Sequence, residues 1–85
     1  MIYASEGTVE TLVYSEQNLL TNWTITITGK KGRDITTETI AMVVLIDASR
    51  RYYLKWICPS LSQIEYDYEI KSDVQIIDKG ILRKL

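Results

Sequence analysis

Histidine and phenylalanine are absent from this 85-residue sequence, which has one cysteine, one proline and four glycines. Without histidine the chain lacks the commonest general base, metal ligand and physiological pH switch. Cys58 has no second cysteine with which to form a disulfide or share a metal, and no histidine to activate it. It reads as a small half-buried thiol beside a turn. No Pro/Gly/Ser-rich linker, repeat or low-complexity tract divides the chain, so residues 1–85 read as a single domain. The longest apolar run, Ile40 to Ile46, falls far below the roughly 20 residues that span a bilayer. The start, Met-Ile-Tyr-Ala-Ser-Glu, has neither the basic region nor the apolar stretch of a secretory signal. Without such a signal, the sequon Asn22-Trp23-Thr24 reads as part of a strand, and a cytoplasmic or virion location is expected. Ten basic and eleven acidic residues, net −1, exclude a strongly basic nucleic-acid arm and a polybasic membrane tail.

What is present is β-branched. Twelve Ile, nine Thr and five Val stand against three Ala, and such side chains suit a pleated surface better than a helix. Trp23, Ile25 and Ile27 alternate with Thr24, Thr26 and Thr28, the pattern of a half-buried strand. Gly29 to Asp34 reads as a turn and Ile35 to Ile46 as one long strand, followed by a turn at Asp47 to Arg50. Tyr52, Leu54 and Trp56 alternate with Arg51, Tyr53 and Lys55 up to a break at Cys58-Pro59-Ser60. Ile64, Tyr66, Tyr68 and Ile70 alternate with Glu65, Asp67, Glu69 and Lys71. Val74 to Ile77 reads as a short strand, Asp78-Lys79-Gly80 as a turn, and Ile81 to Leu85 as a tail. Thr8 to Tyr14 reads as a strand, although Val9, Leu12, Val13 and Leu20 also fit a helical stripe that Glu16 interrupts. The expectation is an all-β domain, a small antiparallel β-sandwich or β-barrel of about six to seven strands rich in meander connections.

Few residues offer chemistry. Gly29-Lys30-Lys31-Gly32 lacks the spacing of a phosphate loop and the Ser/Thr that would follow it. Glu65, Asp67 and Glu69 lie on one face of a strand about 7 Å apart, a spacing compatible with an acid pair or a hard-cation site. A structural use is simpler. If the strands flanking Cys58-Pro59-Ser60 pair with Trp56 facing Ile64, then Leu54 meets Tyr66 and Tyr52 meets Tyr68. The same register sets Lys55 against Glu65 and Arg51 against Glu69, with Tyr53 beside Asp67. No catalytic, cofactor-binding or metal-binding residue is assigned, and no enzyme is expected.

Two surfaces remain as binding candidates. Arg51, Tyr53 and Lys55 interleave basic and aromatic side chains as single-strand binders do, with Lys30, Lys31 and Arg33 as a second basic cluster. In the assumed register three carboxylates share that face and repel phosphate, so an oligonucleotide- or ligand-binding barrel of the OB or SH3 type ranks second. The other surface is the Ile40-to-Ile46 strand, apolar on both sides. With Val43 and Leu45 inside, Ile40, Met42, Val44 and Ile46 remain outside, and so small a domain has little left to cover them except its N-terminal segment. Ile81, Leu82 and Leu85 form a further candidate contact. The leading expectation is a non-enzymatic structural or interaction subunit with a protein partner, a homo-oligomer or part of a larger complex such as a phage virion. A small inhibitor of a host protein makes the same demands on sequence.

Overall fold

The alternating segments do form strands. In the computed structural model, which describes residues 1–17 and 20–85, eight strands follow one another: β1 (Ile2–Ala4), β2 (Gly7–Tyr14), β3 (Trp23–Lys31), β4 (Asp34–Ala41), β5 (Val43–Ala48), β6 (Arg51–Cys58), β7 (Glu65–Ser72) and β8 (Gln75–Lys84). Thr8 to Tyr14 lies in β2 rather than in a helix; of the longer Thr8-to-Leu20 segment, Asn18 and Leu19 lie outside the described residues. Among the described residues no helix is long and apolar enough to cross a membrane.

The strands make two sheets, a five-stranded one in the order β1-β8-β7-β3-β4 and a three-stranded one in the order β2-β6-β5. They pack as a sandwich around one core. Every paired neighbour is antiparallel except β1 and β8, which run parallel with Ile2 opposite Leu82. The fold is therefore all-β and sandwich-like, with one or two strands more than the alternation suggests. The extra ones come from β1 and from a division of the expected Ile35-to-Ile46 strand. That stretch breaks at buried Met42, where the chain leaves the five-stranded sheet as β4 and enters the three-stranded sheet as β5. The Met42 N–H donates to the Trp23 carbonyl at 2.9 Å and pins this corner. Beyond this corner every residue of β5 is exposed, so the change of sheet leaves the apolar run uncovered.

The inner faces carry the expected alternation. Trp23, Ile25 and Ile27 of β3, Tyr66, Tyr68 and Ile70 of β7, and Tyr52, Leu54 and Trp56 of β6 are all buried. Ile64, placed inside by its spacing, precedes β7 and is 68% exposed. Cys58 is fully rather than half buried, and burial, together with nearby Glu38 and Glu6, pushes its thiol pKa up. The expected pairing of β6 with β7 does not occur. They lie in different sheets, β6 between β2 and β5, and β7 between β3 and β8. Alternation sets which side of a strand is buried, but either of two strands can satisfy it as a neighbour.

Three of the expected turns are strand in whole or in part: of Asp47 to Arg50, Asp47 and Ala48 belong to β5 and Ser49 and Arg50 make the turn. Gly29, Lys30 and Lys31 belong to β3, and only Gly32 and Arg33 form the loop, Gly32 taking the positive φ of 62°. Asp78, Lys79 and Gly80 lie within β8. Gly80 sits opposite Tyr68, whose ring would come within 3.2 Å of an added Cβ. The glycine makes room for an aromatic ring and does not turn the chain.

Candidate interaction surface

Paired residues on neighbouring strands point to the same side of a sheet. In the three-stranded sheet, β2 sets Thr11 opposite Leu54 and Val13 opposite Tyr52, all directed inward and buried. Within this layer the buried Trp56 indole N–H donates to Thr11 Oγ1 at 2.9 Å. The outward rows of β2 and β6 are then Thr8 with Ile57, Glu10 with Lys55, Leu12 with Tyr53, and Tyr14 with Arg51.

β5 extends these rows. Val43 lies opposite Lys55 and Val44 opposite Leu54, but Ile46 rather than Leu45 lies opposite Tyr53. Leu45 is the extra residue of a β-bulge, which returns Ile46 and Ala48 to the outward side. The outer face therefore carries an unbroken apolar row across all three strands: Leu12, Tyr53 and Ile46, at 38%, 36% and 53% exposure. Val43 and Tyr14 flank that row, and Ile57 lies beyond the Glu10–Lys55 pair, each more than half exposed. Neighbouring strands are about 4.8 Å apart, so the row is about 10 Å wide. Scattered exposed apolar side chains are ordinary, whereas a contiguous cluster of five is the kind of patch that marks an interaction surface.

The outer face of the five-stranded sheet is mainly polar, its exposed apolar side chains Tyr3, Ile35 and Ile76 each lying opposite a cation, Arg83, Lys30 and Lys71. Thr26 and Thr39 pair across β3 and β4 with their hydroxyl oxygens 3.0 Å apart. Glu65, Asp67 and Glu69 share one side of β7, but the basic partners assumed for them belong to the other sheet. Arg83 of β8 lies opposite Glu65 and bonds it at 2.7 Å, and Lys71 stands 3.7 Å from Glu69. Among the described residues no group of three or more potential ligands is placed to hold a metal ion.

Of the apolar candidates, Met42 and Leu82 are core residues and present nothing to a partner. Ile40 and Ile81 are half-buried. Val44 and Ile46 are exposed on β5, and Leu85 is exposed beside β1, its N–H donating to the Ala4 carbonyl at 2.9 Å. Sequence spacing missed Leu12, Tyr14 and Ile57, because each alternates correctly within its own strand and only the pairing of β2 with β6 joins them. Of the basic candidates, Arg51, Tyr53 and Lys55 share the outer face of β6, while Lys30, Lys31 and Arg33 lie at the hairpin joining β3 to β4 in the other sheet.

One small recess, about 90 Å³, is bounded by Ile27, Glu38, Leu61 and Tyr66. Ligand sites usually run from about 300 to 1,000 Å³. The Tyr66 phenol oxygen accepts the backbone N–H groups of Ser62 and Gln63 at 2.9 and 3.0 Å. Burial raises its pKa, but the Ser62 hydroxyl, these two N–H donors and nearby Lys84 together outweigh burial and hold it below the ordinary tyrosine value. Both donors belong to the β6–β7 connection, so the arrangement fastens that crossover to the sheet. Comparison with protein families, with characterised proteins and with solved structures finds no match.

Proposed function

We propose that this chain is a non-enzymatic interaction subunit that associates with protein through the outer face of its three-stranded sheet. The row of Leu12, Tyr53 and Ile46 carries this reading. It spans every strand of the sheet, and its one facing charge pair, Glu10 and Lys55, stands to one side. Such a face suits a self-associating component or one that docks into a larger assembly, for example a virion. Size-exclusion chromatography with light scattering tests it. The expected result is a native mass above the 9.8 kDa of one chain that falls in Tyr53→Lys. A single-chain mass at high concentration, with solubility unchanged in Tyr53→Lys and Val44→Lys, overturns the self-associating form.

One observation favours a second reading. The acids of β7, which would repel a nucleic-acid strand from Arg51, Tyr53 and Lys55, lie on the other sheet, and Glu10 opposite Lys55 is the acid beside them. A single-stranded oligonucleotide could then stack on Tyr53 with its phosphates near the two cations. This reading requires salt-sensitive binding that Tyr53→Ala weakens, measured by fluorescence anisotropy. Retention of a protein partner without oligonucleotide binding decides for the first.

A further inference from the structure

The sandwich has four edge strands, and three of them are poorly suited to receive another strand. β1 is three residues long, β4 carries Asp34 and Glu38 among its threonines, and β2 carries Glu10 at its middle. β5 differs. Val43, Val44, Leu45 and Ile46 are 61%, 37%, 46% and 53% exposed in succession, with no Lys or Pro among them and with Asp47 as the strand's one charge. Edges are ordinarily guarded by such residues, because free N–H and C=O groups beside apolar side chains recruit further strands.

We infer that β5 is the seat of a second copy of this chain, whose own β5 adds antiparallel and joins two three-stranded sheets into one of six. The inference rests on the reading above that the chain associates with protein, and it places a second copy at the sheet's edge beside that face. Charge selects the direction: a parallel copy in register sets Asp47 beside the partner's Asp47, while an antiparallel one carries the two to opposite ends. Side-chain direction selects the register, since outward residues must meet outward residues. Two antiparallel registers with substantial overlap meet that condition on the pattern of β5. One of them opposes Val44 to the partner's Asp47. The other opposes Val43 to the partner's Ile46 and Val44 to the partner's Leu45, apolar against apolar throughout. It also continues the row of Leu12, Tyr53 and Ile46 onto the partner's Val43, and the two-fold axis repeats the arrangement.

The exposed area agrees. The chain presents 5754 Å², whereas a compact monomer of its mass presents about 5,200 Å². The surplus belongs to the whole chain, and every residue of β5 is among those exposed.

The test uses the full chain with Cys58→Ala, so that introduced cysteines are alone. One preparation carries Val43→Cys, a second Ile46→Cys and a third Ala48→Cys, mixed in pairs under mild oxidation. The expected result is a native mass of twice 9.8 kDa and a disulfide between the Val43→Cys and Ile46→Cys chains. Its yield should exceed that of Val43→Cys alone roughly tenfold, because identical positions sit too far apart along the strands to bridge. Ile46→Lys should return the mass to one chain while keeping the β-sheet circular dichroism, since that side chain is exposed. Linkage of Val43→Cys to Ala48→Cys instead overturns the register. A dimer that forms no β5 disulfide and is lost in Leu12→Lys overturns the edge pairing while the face reading stands. A single-chain mass in every preparation overturns both.

Discussion

Gly29 and Tyr68 show how single residues set the terms of this fold. A Cβ on Gly29 would lie 2.5 Å from Tyr66 Cε2 and 2.7 Å from its Cδ2. The ring cannot retreat freely, because its phenol oxygen is held by the Ser62 and Gln63 N–H groups. Gly29→Ala should therefore cost about 1–3 kcal/mol, the range for an overpacked core. Gly80→Ala, which meets Tyr68 at 3.2 Å, should cost less; urea unfolding of both variants checks the order. Tyr68 donates to Asp78 Oδ2 at 3.0 Å, and burial together with that carboxylate pushes its pKa up to about 12. An unfolded tyrosine ionises near 10, so between these values the folded state binds more protons than the unfolded one. The contribution of Tyr68 to stability is complete below pH 10 and is lost as pH rises towards 12. Denaturant midpoints measured across pH 9–12 should fall more steeply in the parent than in Tyr68→Phe, which removes this ionisation.

At the scale of the strand, the hairpin between β5 and β6 turns on Ser49 and Arg50, both at positive φ, 46° and 70°. Two left-handed residues in a two-residue loop make a type I′ turn, which Asn-Gly adopts with least strain. Ser49→Asn with Arg50→Gly should raise stability by about 1 kcal/mol, even though it removes the exposed Arg50–Glu16 ion pair, and thermal unfolding measures the gain. Across β2 and β6, Thr11→Val leaves the buried Trp56 N–H without its acceptor. The expected loss is about 1–3 kcal/mol, read by urea denaturation followed through tryptophan fluorescence. Strand character was legible in the sequence wherever period two was strict: Trp23 to Ile27, Tyr52 to Trp56 and Tyr66 to Ile70 are all buried on the side their spacing names. Partner choice was not. Lys55 meets Glu10 rather than Glu65, because an acid four strands away in sequence satisfies a lysine as well as an acid in the next strand. Met42 was also illegible as a corner, since no proline or glycine marks it. The consequence for the candidate surface was direct: Tyr53 and Ile46 belong together on one face, but Leu12 joins them only through a pairing between distant segments.

As a whole the molecule is elongated, 41 × 23 × 18 Å with a radius of gyration of 12.7 Å, where a compact chain of this length measures about 12 Å. The three-stranded sheet covers only part of the five-stranded one, and both faces of β5 remain exposed. If two copies share that edge, folding and association are linked by mass action, and the unfolding temperature should rise with chain concentration. Scanning calorimetry over a hundredfold concentration range checks this, and Ile46→Lys should remove the dependence.

The strand order of the larger sheet also governs when the protein can fold. β8 lies between β1 and β7, so β1 has no strand to pair with until a segment from nearly the other end of the chain is made. Until β8 is in place the sheet lacks an interior member, with Tyr66 and Tyr68 uncovered on one flank. Assembly of the five-stranded layer must therefore follow synthesis of β8 rather than accompany it, and during that interval the nascent chain depends on whatever shields those rings.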